Sequence, residues 1–211
     1  MPKRVYIIGG SNGKEICPAD AERWGVNATC IGMQVDLSFH LHDLMHVEKY
    51  SMTGTRGSKP ADFAPFLGYV KFKNHPTYSI REYEGFPSIM RYPYEEICDY
   101  FQTNYFSNSF CYMIAFALWK GYDEIHTYGV NFILADEYAD ERPGVEFWIA
   151  MAHSRGVRLG KEFRIIGEYS RLLRHPKGVN YSFEDNPWYT PEPVPFYRVA
   201  TWAELHESRA M

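Results

Sequence analysis

Cysteine is scarce, and what there is does not pair. Cys17, Cys30, Cys98 and Cys111 form no CxxC spacing, and two of them lie in apolar runs. That excludes a disulfide framework and predicts buried free thiols in a reducing cytoplasm. Long hydrophobic runs are lacking too: none approaches the roughly 20 residues needed to cross a bilayer. The first residues, MPKRVYIIGG, run straight into a strand pattern without a signal-peptide cleavage site, so a cytoplasmic location is expected. Basic clusters are also missing. Lys71, Lys73, Arg81 and Arg91 are scattered and the formal charge is −4, which gives no general drive toward nucleic acid. No internal repeat and no second folding domain is evident.

What remains is an ordinary globular composition, 45% hydrophobic and 23% charged over 211 residues, enough for one domain with a full core. Aromatics are abundant at 17%, with 17 Tyr. They suit a stacking site, an oligomer interface or an aromatic core.

RVYII at residues 4–8 has the pattern of a buried strand, followed by the loop Gly9-Gly10-Ser11-Asn12-Gly13. A short helix is expected at 18–24, and short strands at 27–33 and 37–41 with Asp36 between them. From His46 to about Asn74 the periodicity fails, and SMTGTRGSKPADF predicts a long binding loop or lid. A strand is expected at 77–81 and helices at 94–103 and 146–155. Residues 163–166 give a last parallel strand. After Asn180 the Pro-, Trp- and Tyr-rich tail predicts an extended arm at 181–211, packed on the body or on a second subunit of a homo-oligomer.

The stretch NYFSNSFCYMIAFALWKGYDEIHTYGVNFILADEY at 104–138 is the most informative. Ser107, Asn108 and Ser109 are N-cap types. Phe110 to Trp119 is too uniformly apolar for a surface helix, Gly121 suits its stop, and residues 124–128 read as a strand ending at Gly129-Val130-Asn131. Strands alternating with helices predict an α/β fold, a Rossmann-like and mainly parallel sheet with helices on both faces in a domain over residues 1–180. In such folds ligands bind beyond the carboxyl ends of strands and beside helix N-termini that attract phosphate.

Candidate functional residues follow from that placement. Gly9, Gly10, Ser11 and Asn12 stand where backbone amides meet a phosphate or ribose, although GGSNG is neither GxGxxG nor a P-loop. Asp36 suits a ribose hydroxyl or a turn. His40, His42 and His46 in HLHDLMH allow a metal-dependent hydrolase, with Asp43 adding a carboxylate. His42 equally suits the end of a strand lining the crevice. Asp136 and Glu137 suit Mg²⁺ on a diphosphate or a general base. His153, at a helix end, is a candidate catalytic base, and Ser170 a further crevice residue.

The order Ser109, Tyr112-Met113, Gly121-Tyr122, Glu124-Ile125, Tyr128-Gly129 and Tyr138-Ala139 resembles the bacterial family 42 sialyltransferases. It also resembles the MptE-like (DUF115) pterin diphosphokinases and small Rossmann-like proteins encoded by phages. The phage group shares the compact length, the pattern around Asp36, Phe39 and His42, and the helix from Pro143-Gly144 to Gly156. The sialyltransferase resemblance implies a nucleotide pocket at Gly9, Asn108, Ser109, Gly129 and Asn131. It also implies Tyr138 on the departing phosphate and His153 near a catalytic histidine. The chain departs from that family at Gly9-Gly10-Ser11, where it has glycine-asparagine-glycine, and at Met33 and Asn131, where it has asparagine and aspartate. The expectation is a transferase of glycosyl or phosphoryl-type groups that uses a nucleotide or nucleotide-sugar donor. A non-catalytic nucleotide-binding or assembly protein is the other alternative.

Overall fold

In RVYII, Val5 and Ile7 face one side of the extended chain and Tyr6 and Ile8 the other, and all four are buried. A strand covered on both faces belongs inside a sheet with helices on each side. The computed structural model has this arrangement and describes residues 2–11, 13–44, 64–130 and 137–159. Its strands are β1 (Arg4–Ile8), β2 (Glu22–Val26), β3 (Leu37–His40), β4 (Thr77–Ser79), β5 (Ile89–Arg91), β6 (Glu124–Tyr128) and β7 (Arg158–Leu159). They form one sheet in the order β5-β4-β3-β2-β1-β6-β7, and every pairing is parallel. The helices are α1 (Thr29–Gly32), α2 (Ala64–Lys73), α3 (Tyr94–Phe101), α4 (Ser109–Trp119) and α5 (Arg142–Ser154). A 3-10 turn at Lys14–Ile16 follows β1, and a π-helical turn at Glu137–Glu141 leads into α5.

The two faces carry separate cores. Val5, Ile7, Trp24 and Phe39 pack against Phe101 of α3, Phe116 of α4 and Trp148 of α5. Tyr6, Ile8 and Tyr128 share the other cluster with Cys30 of α1 and with Phe66 and Val70 of α2. The expected α/β fold with helices on both faces is what the chain forms, with a sheet that is parallel throughout the described residues.

Helix α4 forms where its caps and composition predict. The Asn108 side chain accepts from the amides of Phe110 at 3.0 Å and Cys111 at 3.2 Å, and Gly121 ends the helix at φ +69. Seven of its residues are buried, because it lies across the sheet between α3 and α5.

Several segments differ from expectation. Residues 18–24 give no helix; β2 begins at Glu22, anchored by Trp24 against Phe39, Phe116 and Tyr122. Residues 27–33 give no strand. Asn27 turns to φ +51, which ends β2, and Thr29 then starts α1 with its hydroxyl on the Val26 carbonyl at 2.6 Å. The last part of the expected loop is helical: Phe66 and Val70, four residues apart, bury one side of α2. A strand after Gly156 begins already at Arg158. The expected strand at 163–166, the arm at 181–211 and Ser170 lie outside the described residues. No helix of the described residues is long and apolar enough to cross a membrane.

Candidate functional site

From β1 the sheet grows outward through β2, β3 and β4 to β5, and then the chain returns to lay β6 on the other side of β1. The strand order therefore reverses between β1 and β6, the place at which ligands bind in open α/β sheets. Gly9 ends β1 and Gly129 ends β6. Their backbones are locked together: the Gly9 amide donates to the Tyr128 carbonyl at 2.8 Å and the Ser11 amide to the Gly129 carbonyl at 3.1 Å. A methyl group on Gly9 would fall 2.2 Å from the Gly129 oxygen and 3.1 Å from the Phe110 ring. Gly129 sits at φ +63, and a methyl there would fall 2.6 Å from the Ser11 oxygen. Neither position tolerates a side chain.

The Phe110 contact places the glycine turn beside the start of α4. Two segments a hundred residues apart in sequence thus meet at one point, as the crevice requires. The N-terminus of α4 presents free amides and the positive end of its dipole there. Asn108 spends its side-chain oxygen on the cap, while its Nδ2 is buried without a hydrogen-bond partner. Among the described residues the amides of Gly10 and Ser109 also donate to no acceptor. Lys14 stands over the same turn, its ammonium 3.0 Å from the Gly10 carbonyl. These hydrogen-bond donors and this positive charge gather at one turn.

The start of α5 closes the site from behind. The Ser107 hydroxyl donates to the Glu141 carbonyl at 2.6 Å, and a methyl on Gly144 would fall 2.1 Å from that hydroxyl oxygen. Two helix N-termini therefore meet at the carboxyl edge of the sheet. Sequence reasoning singled out Ser107 only as one of three N-cap candidates and Gly144 only as part of a helix start, without a role at the site.

At the end of β3 the side chain of His40 is 2% exposed, its ring 4.7 Å from Phe66 and 5.6 Å from His42. Burial, with the neighbouring His42 adding to it, pushes His40 down to about 3. His42, two residues beyond the strand, is exposed to solvent on one side, and the protein around its ring still lowers its pKa by desolvation. Both are thus neutral near pH 7. Asp43 is engaged by Arg81 at 2.9 Å and by the Tyr83 hydroxyl at 3.2 Å, which braces this loop. Among the described residues no three His, Cys, Asp or Glu side chains group closely enough to hold a metal ion. His46 lies outside them.

The remaining candidates divide by place. Gly9, Gly10, Ser11, Asn108, Ser109 and Gly129 come together at the crevice, and His42 lies on the same edge of the sheet. Asp36 does not join them. It precedes β3 at the amino edge, and its carboxylate accepts from the Arg23 amide at 2.8 Å, the turn-holding role. His153 does not join them either. Helix α5 starts at the carboxyl edge and its 13 residues run back for about 20 Å, so His153 ends exposed at the amino edge. Asn12, Asn131 and Asp136 lie outside the described residues, and of Glu137 and Tyr138 only the backbone is described. A Ser38–His75 pair at 3.0 Å resembles a nucleophile with its base, but both side chains are buried in the core.

No protein-family model matches the chain, and no curated protein matches it. Among solved structures it is similar to the sialyltransferase CstII from Campylobacter jejuni in complex with the substrate analogue CMP-3FNeuAc. The identity is 15%, with 80% of this chain and 84% of that chain covered and a TM-score of 0.48. The same enzyme in complex with cytidine-5'-monophosphate gives 16% identity, 74% and 78% coverage and a TM-score of 0.45. The sialyltransferase CST-II in complex with a trisaccharide acceptor and CMP gives 15% identity, 74% and 79% coverage and a TM-score of 0.46. Likenesses of this degree assign no role to any residue here.

Proposed function

We propose that the chain binds the phosphate of a nucleotide or nucleotide-sugar at the crevice between β1 and β6 and transfers the attached group to an acceptor. One observation carries this reading: Gly9, Gly129 and the capped start of α4 converge on one point and leave donors unused. The amides of Gly10 and Ser109, Asn108 Nδ2 and the helix dipole all suit a phosphate oxygen. Gly9 and Gly129 let the two loops pack directly on each other, which holds these donors at one turn.

His42 stands on the same edge, neutral near pH 7, where it can accept a proton from an acceptor hydroxyl. The proposal also keeps Glu137 and Tyr138, just before α5, for the leaving phosphate, with Mg²⁺ as an optional partner of the diphosphate. Transfer would then draw on orientation and on fixed positive charge at the phosphate. Thermal-shift and calorimetric screening of CMP, UDP, GDP and their sugar conjugates tests the reading, with and without Mg²⁺. Saturable binding of one of them at one site supports it, and binding by none overturns it.

A further inference from the structure

Two sources of positive charge stand on opposite sides of the glycine turn. On one side is the start of α4, a helix whose Cys111 and Phe116 pack with Val5 and Ile7. On the other is Lys14, in the connection from β1 to β2. Cys17, three residues further on, is buried with Tyr6 and Ile8 on the other face of the sheet. Gly9 and Gly129 lie between the two. The Phe110 ring is 3.1 Å from where a methyl on Gly9 would stand, and Lys14 Cβ is 3.0 Å from where one on Gly129 would stand. From there the Lys14 ammonium reaches back over the turn to the Gly10 carbonyl at 3.0 Å. We propose that the two positions hold the two phosphates of a diphosphate, which makes the donor a nucleoside diphosphate sugar and not a nucleoside monophosphate sugar. The outer phosphate sits at α4, beside the residues before α5, and the inner one at Lys14. That the diphosphate carries a nucleoside and a sugar rests on the transferase reading; the preference for two linked phosphates does not.

Charge decides between the two donor classes. A helix start supplies the equivalent of about half a positive charge, which suits the single negative charge of one phosphodiester. Lys14 adds a whole charge. Among the described residues its ammonium meets the Gly10 carbonyl and no carboxylate, so it keeps further donors for a ligand. The carboxylate of the same loop, Glu15, turns to the Gly13 amide at 3.0 Å and lies in solvent, where salt screens it. Arg142, at the start of α5, is paired with Glu146 at 2.6 Å. A second phosphodiester therefore finds a counter-charge at Lys14 that a single one, held at α4, would leave unused.

In the transfer, the acceptor hydroxyl oxygen bonds to the anomeric carbon of the donor, and the bond from that carbon to the outer phosphate oxygen breaks. That oxygen keeps the electron pair beside the positive start of α4, the nucleoside diphosphate leaves, and the hydroxyl proton passes to His42.

The test is calorimetry on the full chain without added metal. The probes are inorganic phosphate, inorganic pyrophosphate and the pairs CMP and CDP, UMP and UDP, and GMP and GDP. Lys14→Met removes the charge and Lys14→Arg keeps it; the side chain is partly exposed, and thermal melts check the fold. At least one nucleoside diphosphate is expected to bind at least tenfold tighter than its monophosphate. Lys14→Met should cut the diphosphate affinity at least tenfold and the monophosphate affinity less than threefold. Lys14→Arg should keep most of the preference. Equal affinity for the two forms of a bound nucleotide, or equal loss of both in Lys14→Met, would overturn the proposal and leave the nucleotide site standing. Pyrophosphate binding that Lys14→Met abolishes, with no nucleotide bound, would keep the phosphate pair and sink the transferase reading. Binding of neither pyrophosphate nor any nucleotide would sink both.

Discussion

Gly144 faces Ser107 so closely that a single methyl group on it would lie 2.1 Å from the hydroxyl oxygen and 2.8 Å from the Ser107 Cβ. The second distance matters more, because a hydroxyl can rotate away and a Cβ cannot. Gly144→Ala should therefore destabilise the fold by about 1–3 kcal/mol, the usual cost of overpacking. Ser107→Gly in the same chain should return much of that loss, since it removes the obstructing atoms. Denaturant unfolding of the two single variants and the double variant checks this, and simple additivity of the losses would count against the contact.

Asn108 separates stability from binding. Its oxygen caps α4 while its Nδ2 has no partner. Asn108→Asp keeps the cap, because both residues cap equally well, whereas Asn108→Ala should cost about 1 kcal/mol of stability. For the nucleotide the order reverses. Asp puts a negative oxygen where a phosphate is to be held, so affinity should fall at least tenfold, about 1.4 kcal/mol, with the melting temperature little changed. Equal affinity in the aspartate variant would remove Asn108 from the site.

The glycine pair makes a paired prediction. Gly9→Ala and Gly129→Ala should each abolish nucleotide binding and lower stability, Gly129→Ala also because its φ is +63. Gly13→Ala provides the control. Its φ is +92, so strain is expected, yet nothing lies near the added methyl, and affinity should survive. Thermal melts and calorimetry on the three variants distinguish strain from close approach.

Much of this site could be read from the chain before any fold was known, because its signals are local. Three N-cap residues, an unbroken apolar helix, a glycine stop and a five-residue strand declared α4 and β6 without help from distant contacts. The failures were of another kind. Segment ERWGV holds polar and apolar residues in no clear alternation, and only its partners Phe39, Phe116 and Tyr122 make β2 of it. Asn27 breaks the chain at a positive φ that composition did not announce. Asp36 and His153 looked suitable by residue type, but which edge of the sheet they occupy depends on strand direction. The buried polar seam of Ser38, His40, His75, Thr77 and Ser79 went unforeseen, since the Ser38–His75 and Ser79–His40 hydrogen bonds that tie it together join residues remote in sequence.

Acid should weaken the protein earlier than carboxylate titration alone would. Burial lowers the pKa values of His40, His42 and His75, that of His40 to about 3. Above pH 6.5 these rings are neutral in both the folded and unfolded chain, so their contribution is flat. Below it the unfolded chain takes up protons that the folded one refuses. For the buried His40 and His75 stability then falls by up to about 1.4 kcal/mol per pH unit per group, down to each folded pKa, while exposed His42 adds less. His40→Gln cannot be protonated there. Urea unfolding at pH 7, 5.5 and 4.5 should therefore show a shallower loss for this variant than for the natural chain, and parallel losses would refute the assignment.

The most direct test of the crevice is an amide NMR titration with CMP, UDP, GDP and their sugar conjugates, with and without Mg²⁺. Binding of one nucleotide should shift the amides of Gly10, Ser109 and Gly129 most, and leave Asp36 and His153 at the opposite edge nearly unmoved. Saturable shifts centred on that opposite edge, or no binding by any nucleotide, would contradict the account.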